Sequence, residues 1–212
     1  MPNNKSPEQA LETVTALADE IVQKLGMSLV DIHFGQAGRQ KCMEVIIYRK
    51  GGTVSLSDCE QVSRELDQKL EQLQDEVSFF HGPYVLDVGS PGIDRVLKSS
   101  REFAIFQGLC VEVKTKVNTE ESSLGQHFVG TLDKLDQDNV HLSRLKPAPQ
   151  KTFGNVGKGN KKVSHKKIQP QEEIKSLVVP LKQIIQIRLH PDLAKKFKSL
   201  EEQPIQESDI TI

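Results

Sequence analysis

YVLDVGSPGIDRVLK, residues Tyr84 to Lys98, sets the reading of the whole chain. Tyr84 to Val88 has the apolar alternation of a half-buried strand. Ser90-Pro91-Gly92 then breaks it: Pro91 fixes φ and pushes Ser90 toward extended backbone, and Pro-Gly suits the centre of a type II turn. Asp94 and Arg95 follow at once. The carboxylate accepts hydrogen bonds from nearby backbone N–H groups, and the guanidinium offers a planar fork to carboxylate or phosphate. These residues either pin a turn or domain contact, or meet a partner directly. A nucleophile at Ser90 is excluded by its context, because Val88 stands where the G-x-S-x-G elbow needs its first glycine.

Upstream of this bend the pattern is mixed α and β. Pro7 and Gln9 after Ser6 read as a helix start, with Ser6 at N-cap. Leu11, Val14, Leu17, Ala18, Ile21, Val22 and Leu25 recur at helical spacing, and Gly26 closes the helix. Val30 to Phe34 and Met43 to Tyr48 read as a hairpin around a turn at 36–40. Ser57-Asp58-Cys59-Glu60 reads as a capping box for a second helix, whose buried stripe is Cys59, Val62, Leu66, Leu70 and Leu73. Downstream, Ser99-Ser100-Arg101-Glu102 caps a short helix that Gly108 ends, with Phe103 and Phe106 as core residues.

Beyond Gly108 the helices stop. Leu109–Lys114, His127–Leu132, Val140–Leu142 and an apolar run Leu177–Leu189, divided by Pro180, read as short strands. Strands at this spacing suggest a small barrel. The expected fold class is therefore α+β: helices and three strands in an N-terminal domain (1–107), then a small β-barrel (108–193). Residues 146–170 form an inserted loop with seven lysines and no acid, and 194–212 an acidic, disordered tail.

Charge is divided in the same sense. Residues 1–106 hold 11 Lys+Arg against 16 Asp+Glu, and residues 107–212 hold 17 against 13. With a net charge of −1, a surface that grips nucleic acid all round is excluded. Lys151, Lys158, Lys161, Lys162, Lys166 and Lys167 form an electrostatic patch suited to phosphates, alternatively a solubilising loop. Within it, GNVGKGNKK fails as a P-loop, because Asn160 stands where lysine is required.

Three cysteines without a C-x-x-C pair and six histidines without metal spacing leave no metal or disulfide framework. No cofactor and no catalytic constellation are expected. No apolar run reaches the about 18 residues of a membrane span, and the N-terminus lacks the features of a secretory signal. A cytoplasmic, non-membrane protein is the expectation.

The stretch YVLDVGSPGIDRVLKSSREFAIFQG, Tyr84 to Gly108, resembles the central signature of the bacterial ribosome maturation factor RimP family. Ser90, Pro91, Gly92, Asp94 and Arg95 match its turn, and Phe103, Phe106 and Gly108 the helix end. LSDCEQVSREL (Leu56 to Leu66) is similar to the family's second helix, and VVPLKQIIQIRL (Val178 to Leu189) to its last strands. Val96 departs from the pattern, standing where proline commonly follows the arginine. The lysine-rich insertion is longer than the family core needs.

The resemblance implies a two-domain, non-enzymatic assembly factor whose first domain is an α/β sandwich with helices on a small three-stranded sheet and whose second is an SH3-like or Sm-like barrel. It further implies maturation of the small (30S) ribosomal subunit, binding the immature particle through a small-subunit ribosomal protein and 16S rRNA, as a monomer. Contact or docking residues would be Ser90, Pro91, Gly92, Asp94, Arg95, Lys98 and Arg101, with the basic loop as a possible rRNA contact. The alternative is a free-standing Sm-like RNA-binding protein.

Overall fold

A computed structural model of the 212-residue chain describes residues 7–73, 77, 80–118, 124–148 and 174–191. The elements run α1 (Pro7–Lys24), β1 (Ser28–Ala37), β2 (Gln40–Tyr48), α2 (Leu56–Glu71), β3 (Tyr84–Gly89) and α3 (Ser100–Ile105). They continue as β4 (Cys110–Thr115), β5 (His127–Asp136), β6 (Asn139–Pro147), β7 (Ile174–Pro180) and β8 (Ile184–Leu189). Two compact units result. The first comprises residues up to Gly92 together with Ser99–Ile105, and the second comprises Ile93–Lys98 together with Phe106 onward. The chain thus passes from one unit to the other three times within the signature.

In the first unit α1 ends as its sequence requires. Gly26 adopts φ +69°, its N–H bonds Gln23 O at 2.9 Å, and the Met27 N–H bonds Val22 O at 3.0 Å. This is a Schellman cap, and buried Val22 and Met27 are its apolar contact. The helix buries Ala10, Val14, Ala18, Ile21 and Val22, whereas Leu11 is 39% exposed. The expected N-cap at Ser6 lies outside the described residues.

The hairpin β1–β2 turns tightly at Gly38-Arg39, with Ala37 opposite Gln40. Gly38 has φ +65°, as the first central residue of a II′-type hairpin loop demands. β3 pairs parallel with β2, giving the order β1-β2-β3. A parallel pair needs a crossover, and α2 supplies it. Its cap differs from expectation: the N-cap is Ser55, not Ser57. Asp58 is the reason. It accepts from the Ser55 N–H at 2.9 Å and from Arg49 at 2.7 Å, so the box closes two residues earlier. Arg49 also donates to Leu25 O at 3.4 Å, tying the end of α1 to the start of α2. Val62, Leu66 and Leu70 are buried on α2, with Cys59 and Leu73 half-buried beside them.

The second unit is antiparallel throughout, in the order β7-β6-β5-β4-β8. Pro180 ends β7, and a single 3₁₀ turn, Leu181–Gln183, leads into β8. The short antiparallel strands expected of a small barrel are present, and their ladder is open. β7 and β8 are its two ends, and no pairing joins them among the described residues. Val111, Val113, Phe128, Leu132 and Val140 are fully buried and Leu142 nearly so, while the only helical turn in the unit among the described residues is Leu181–Gln183.

Gly130 marks an irregularity in the β5–β6 ladder, where Arg144-Leu145 bulges and Arg144 takes φ +52°. A Cβ at Gly130 would lie 2.8 Å from a Leu145 methyl and 3.1 Å from Ser143 O. Gly130→Ala is therefore expected to cost about 1–3 kcal/mol by overpacking, read as a lower midpoint in a denaturant melt.

Candidate partner-binding site

The signature divides between the units. β3 ends at Gly89, and Ser90 is exposed with Pro91 half-buried. The hydrogen-bonded turn is centred on Ile93-Asp94 rather than on Pro91-Gly92, and neither Gly92 nor Asp94 takes the positive φ of a type II turn, so the expected type II turn does not form. Its position follows from what comes next. Arg95 to Leu97 runs antiparallel to β8, with Val96 bridged to Arg188. The Leu97 N–H donates to Ile187 O and the Leu189 N–H to Arg95 O, each at 2.9 Å. Leu97 is buried and anchors this short added strand, while Gly92, Ile93, Asp94 and Lys98 are exposed and Arg95 is half-buried.

Arg101 has another position. It forms a two-pronged pair with Asp19 at 2.7 Å and reaches Leu29 O at 3.4 Å, so it fastens α3 to α1 and β1 within the first unit. Ser99 and Glu102 form the expected capping box: the Ser99 N–H donates to Glu102 Oε2 at 2.9 Å and the Glu102 N–H to Ser99 Oγ at 3.3 Å. Glu102 is buried, as are Phe103 and Phe106.

Beneath the added strand lies a charge network that sequence reading missed. Glu112, in the centre of β4, is 9% exposed. Its Oε1 accepts from Arg188 Nη2 at 2.7 Å and lies 2.6 Å from His127 Nε2, while His190 Nδ1 is 3.7 Å from Oε2. Burial pushes the Glu112 carboxyl up, but hydrogen bonds and charge from Arg188 and His127 outweigh it and hold it at about 2. Arg188 is in turn held more firmly protonated by the Glu112 hydrogen bond and, against burial, by the charges of Glu112 and Asp94. Asp94 of the signature thus acts electrostatically on the residue that its own strand pairs with. In sequence Glu112 is one polar residue alternating with Val111 and Val113, and its partners lie 15 and 76 positions away.

On the first unit, the sheet face opposite α1 and α2 carries exposed Asp31, Glu44 and Asp87, with Glu44 directly between His33 and Asp87 across the strands. Lys151, Lys158, Lys161, Lys162, Lys166 and Lys167 lie outside the described residues, as does the 194–212 tail. Among the described residues no cluster of His, Cys, Asp or Glu is arranged to hold a metal, and no helix is long and apolar enough to cross a membrane.

Residues 17–94 match the model of the RimP N-terminal domain, a span that runs from α1 to Asp94 of the signature. The chain is also 38% identical over 130 residues to the ribosome maturation factor RimP of Microcystis aeruginosa, covering 60% of this chain and 78% of that protein. The likeness takes in more than three quarters of the relative, and on these grounds the chain belongs to the RimP family.

Proposed function

We propose that the chain matures the small (30S) ribosomal subunit, binding the immature particle in the cytoplasm as a monomer and catalysing no reaction of its own. The observation that carries this reading is the 38% identity to a protein named ribosome maturation factor RimP. Two surfaces fit the partners. The acidic sheet face of the first unit, with Asp31, Glu44 and Asp87, suits a basic small-subunit ribosomal protein. The signature residues Ser90 to Lys98 and the lysine-rich segment suit 16S rRNA or the same protein.

We also read the five-stranded sheet as an SH3-like barrel. Its five short antiparallel strands in the order β7-β6-β5-β4-β8, with Val111, Val113, Phe128, Leu132 and Val140 buried, support that reading.

Affinity pulldown followed by sedimentation tests the reading. Salt-sensitive association with free small subunits is expected, and its absence at low salt would sink the idea. Arg95→Ala is expected to weaken that association about tenfold per folded molecule with little change in melting temperature. A lower melting temperature with unchanged binding makes Arg95 a structural pin instead. The Sm-like alternative has the five-stranded sheet in its favour. Sm-like proteins work as rings, so light scattering separates the two, and a monomer mass is expected here.

A further inference from the structure

We propose that Glu112 is the positioning residue that holds Ile93–Lys98 in register on β8, and through that strand sets the affinity for the immature subunit. The second clause rests on the function proposed above; the first stands on geometry.

The added strand is short. It is bridged to β8 at Val96, exchanges the Leu97–Ile187 and Leu189–Arg95 backbone hydrogen bonds with it, and buries Leu97. A segment this short on a sheet edge is marginal by backbone pairing alone. What distinguishes this one is the residue across from it. Val96 is bridged to Arg188, and Arg188 is fixed from the opposite side by Glu112 at 2.7 Å, with Asp94 acting on it electrostatically. Glu112 is itself immobilised by His127 at 2.6 Å and by its place in the middle of β4, paired with β5 and β8. A single buried carboxylate therefore connects three consecutive strands of the sheet to the strand that the signature adds.

Site-resolved amide exchange on the full chain reads this directly. Leu97 and Leu189 report the added strand, and Leu132 and Leu181, which bond to Leu109 O and Asp138 O, report the rest of the unit. E112L is expected to speed exchange at Leu97 and Leu189 about tenfold relative to Leu132 and Leu181. E112Q keeps an oxygen acceptor without the charge and is expected to fall between E112L and the parent. Exchange at Leu97 and Leu189 that stays unchanged, or that rises only in step with Leu132 and Leu181, overturns the positioning role and leaves the proposed function standing.

Sedimentation with free small subunits, expressed per folded molecule, is the second arm, with Arg95→Ala run beside it. Weaker binding of both E112L and Arg95→Ala supports the proposal. Loosened exchange in E112L with binding intact, while Arg95→Ala binds less, overturns the link between Glu112 and affinity. Intact binding in both variants overturns that link together with the reading of the signature as a contact.

Discussion

Phe128→Ala is expected to destabilise the protein by about 3–5 kcal/mol, enough to unfold a large share of a marginal second unit. Phe128 is fully buried, on β5, facing the same interior as Val111, Val113, Leu132 and Val140. β5 is held by backbone pairing to β4 and β6, so loss of the ring leaves a cavity that these strands can close only in part. Thermal unfolding followed by near-UV and far-UV signals checks the size of the effect. The reporters of the first unit, such as Val62 and Leu66 on α2, should hold their protection longer than those of β4–β6.

Acid is expected to act on the second unit through Glu112. Its carboxyl sits at about 2 in the folded protein, against an ordinary 4.5. A folded value below the unfolded one means that the unfolded chain binds more protons as pH falls. The stabilisation is thus fully present above about pH 4.5 and disappears as pH drops toward about 2, and is at most about 3 kcal/mol. Asp58 and Asp136 are also held below their ordinary values and lose stabilisation in the same direction, so the profile of the parent alone does not isolate Glu112. The difference between parent and Glu112→Gln does. Denaturant melts between pH 6 and pH 3 should show a steeper fall for the parent, with the two curves converging in acid. Parallel curves would show that Glu112 gains nothing from Arg188 and His127.

Local structure was legible in the sequence wherever a short-range rule governed it. The close of α1 at Gly26 and the capping box at Ser99 follow from neighbours within a few residues, as does the division of the last strands at Pro180. The stripe Val62, Leu66, Leu70 follows from the helical period. The cap of α2 was placed two residues late because Ser55 with Asp58 and Ser57 with Glu60 have the same capping-box spacing; the Ser55 box is the one that forms, and Arg49, nine positions from Asp58, adds a further hydrogen bond to it. Long-range pairing was not legible at all. Nothing near Asp94 or Arg95 says that their strand will lie along residues 187–189, and nothing in Val111-Glu112-Val113 says that the glutamate is buried against Arg188. Alternation alone assigns such a residue to solvent, and only the partners contributed by β5 and β8 make its burial tolerable. Family likeness, carried by the motif at Ser90 to Arg95, indicated the kind of protein without indicating how the motif is divided between units.

The central claim, that the chain matures the small ribosomal subunit, is tested most directly by a gradient profile of ribosomes from cells depleted of it. Depletion is expected to raise free small subunits carrying unprocessed 16S rRNA at the expense of assembled ribosomes. Return of the parent chain should restore the profile, and return of the Glu112→Leu form should restore it less completely. A profile and rRNA ends that do not change on depletion would contradict the account.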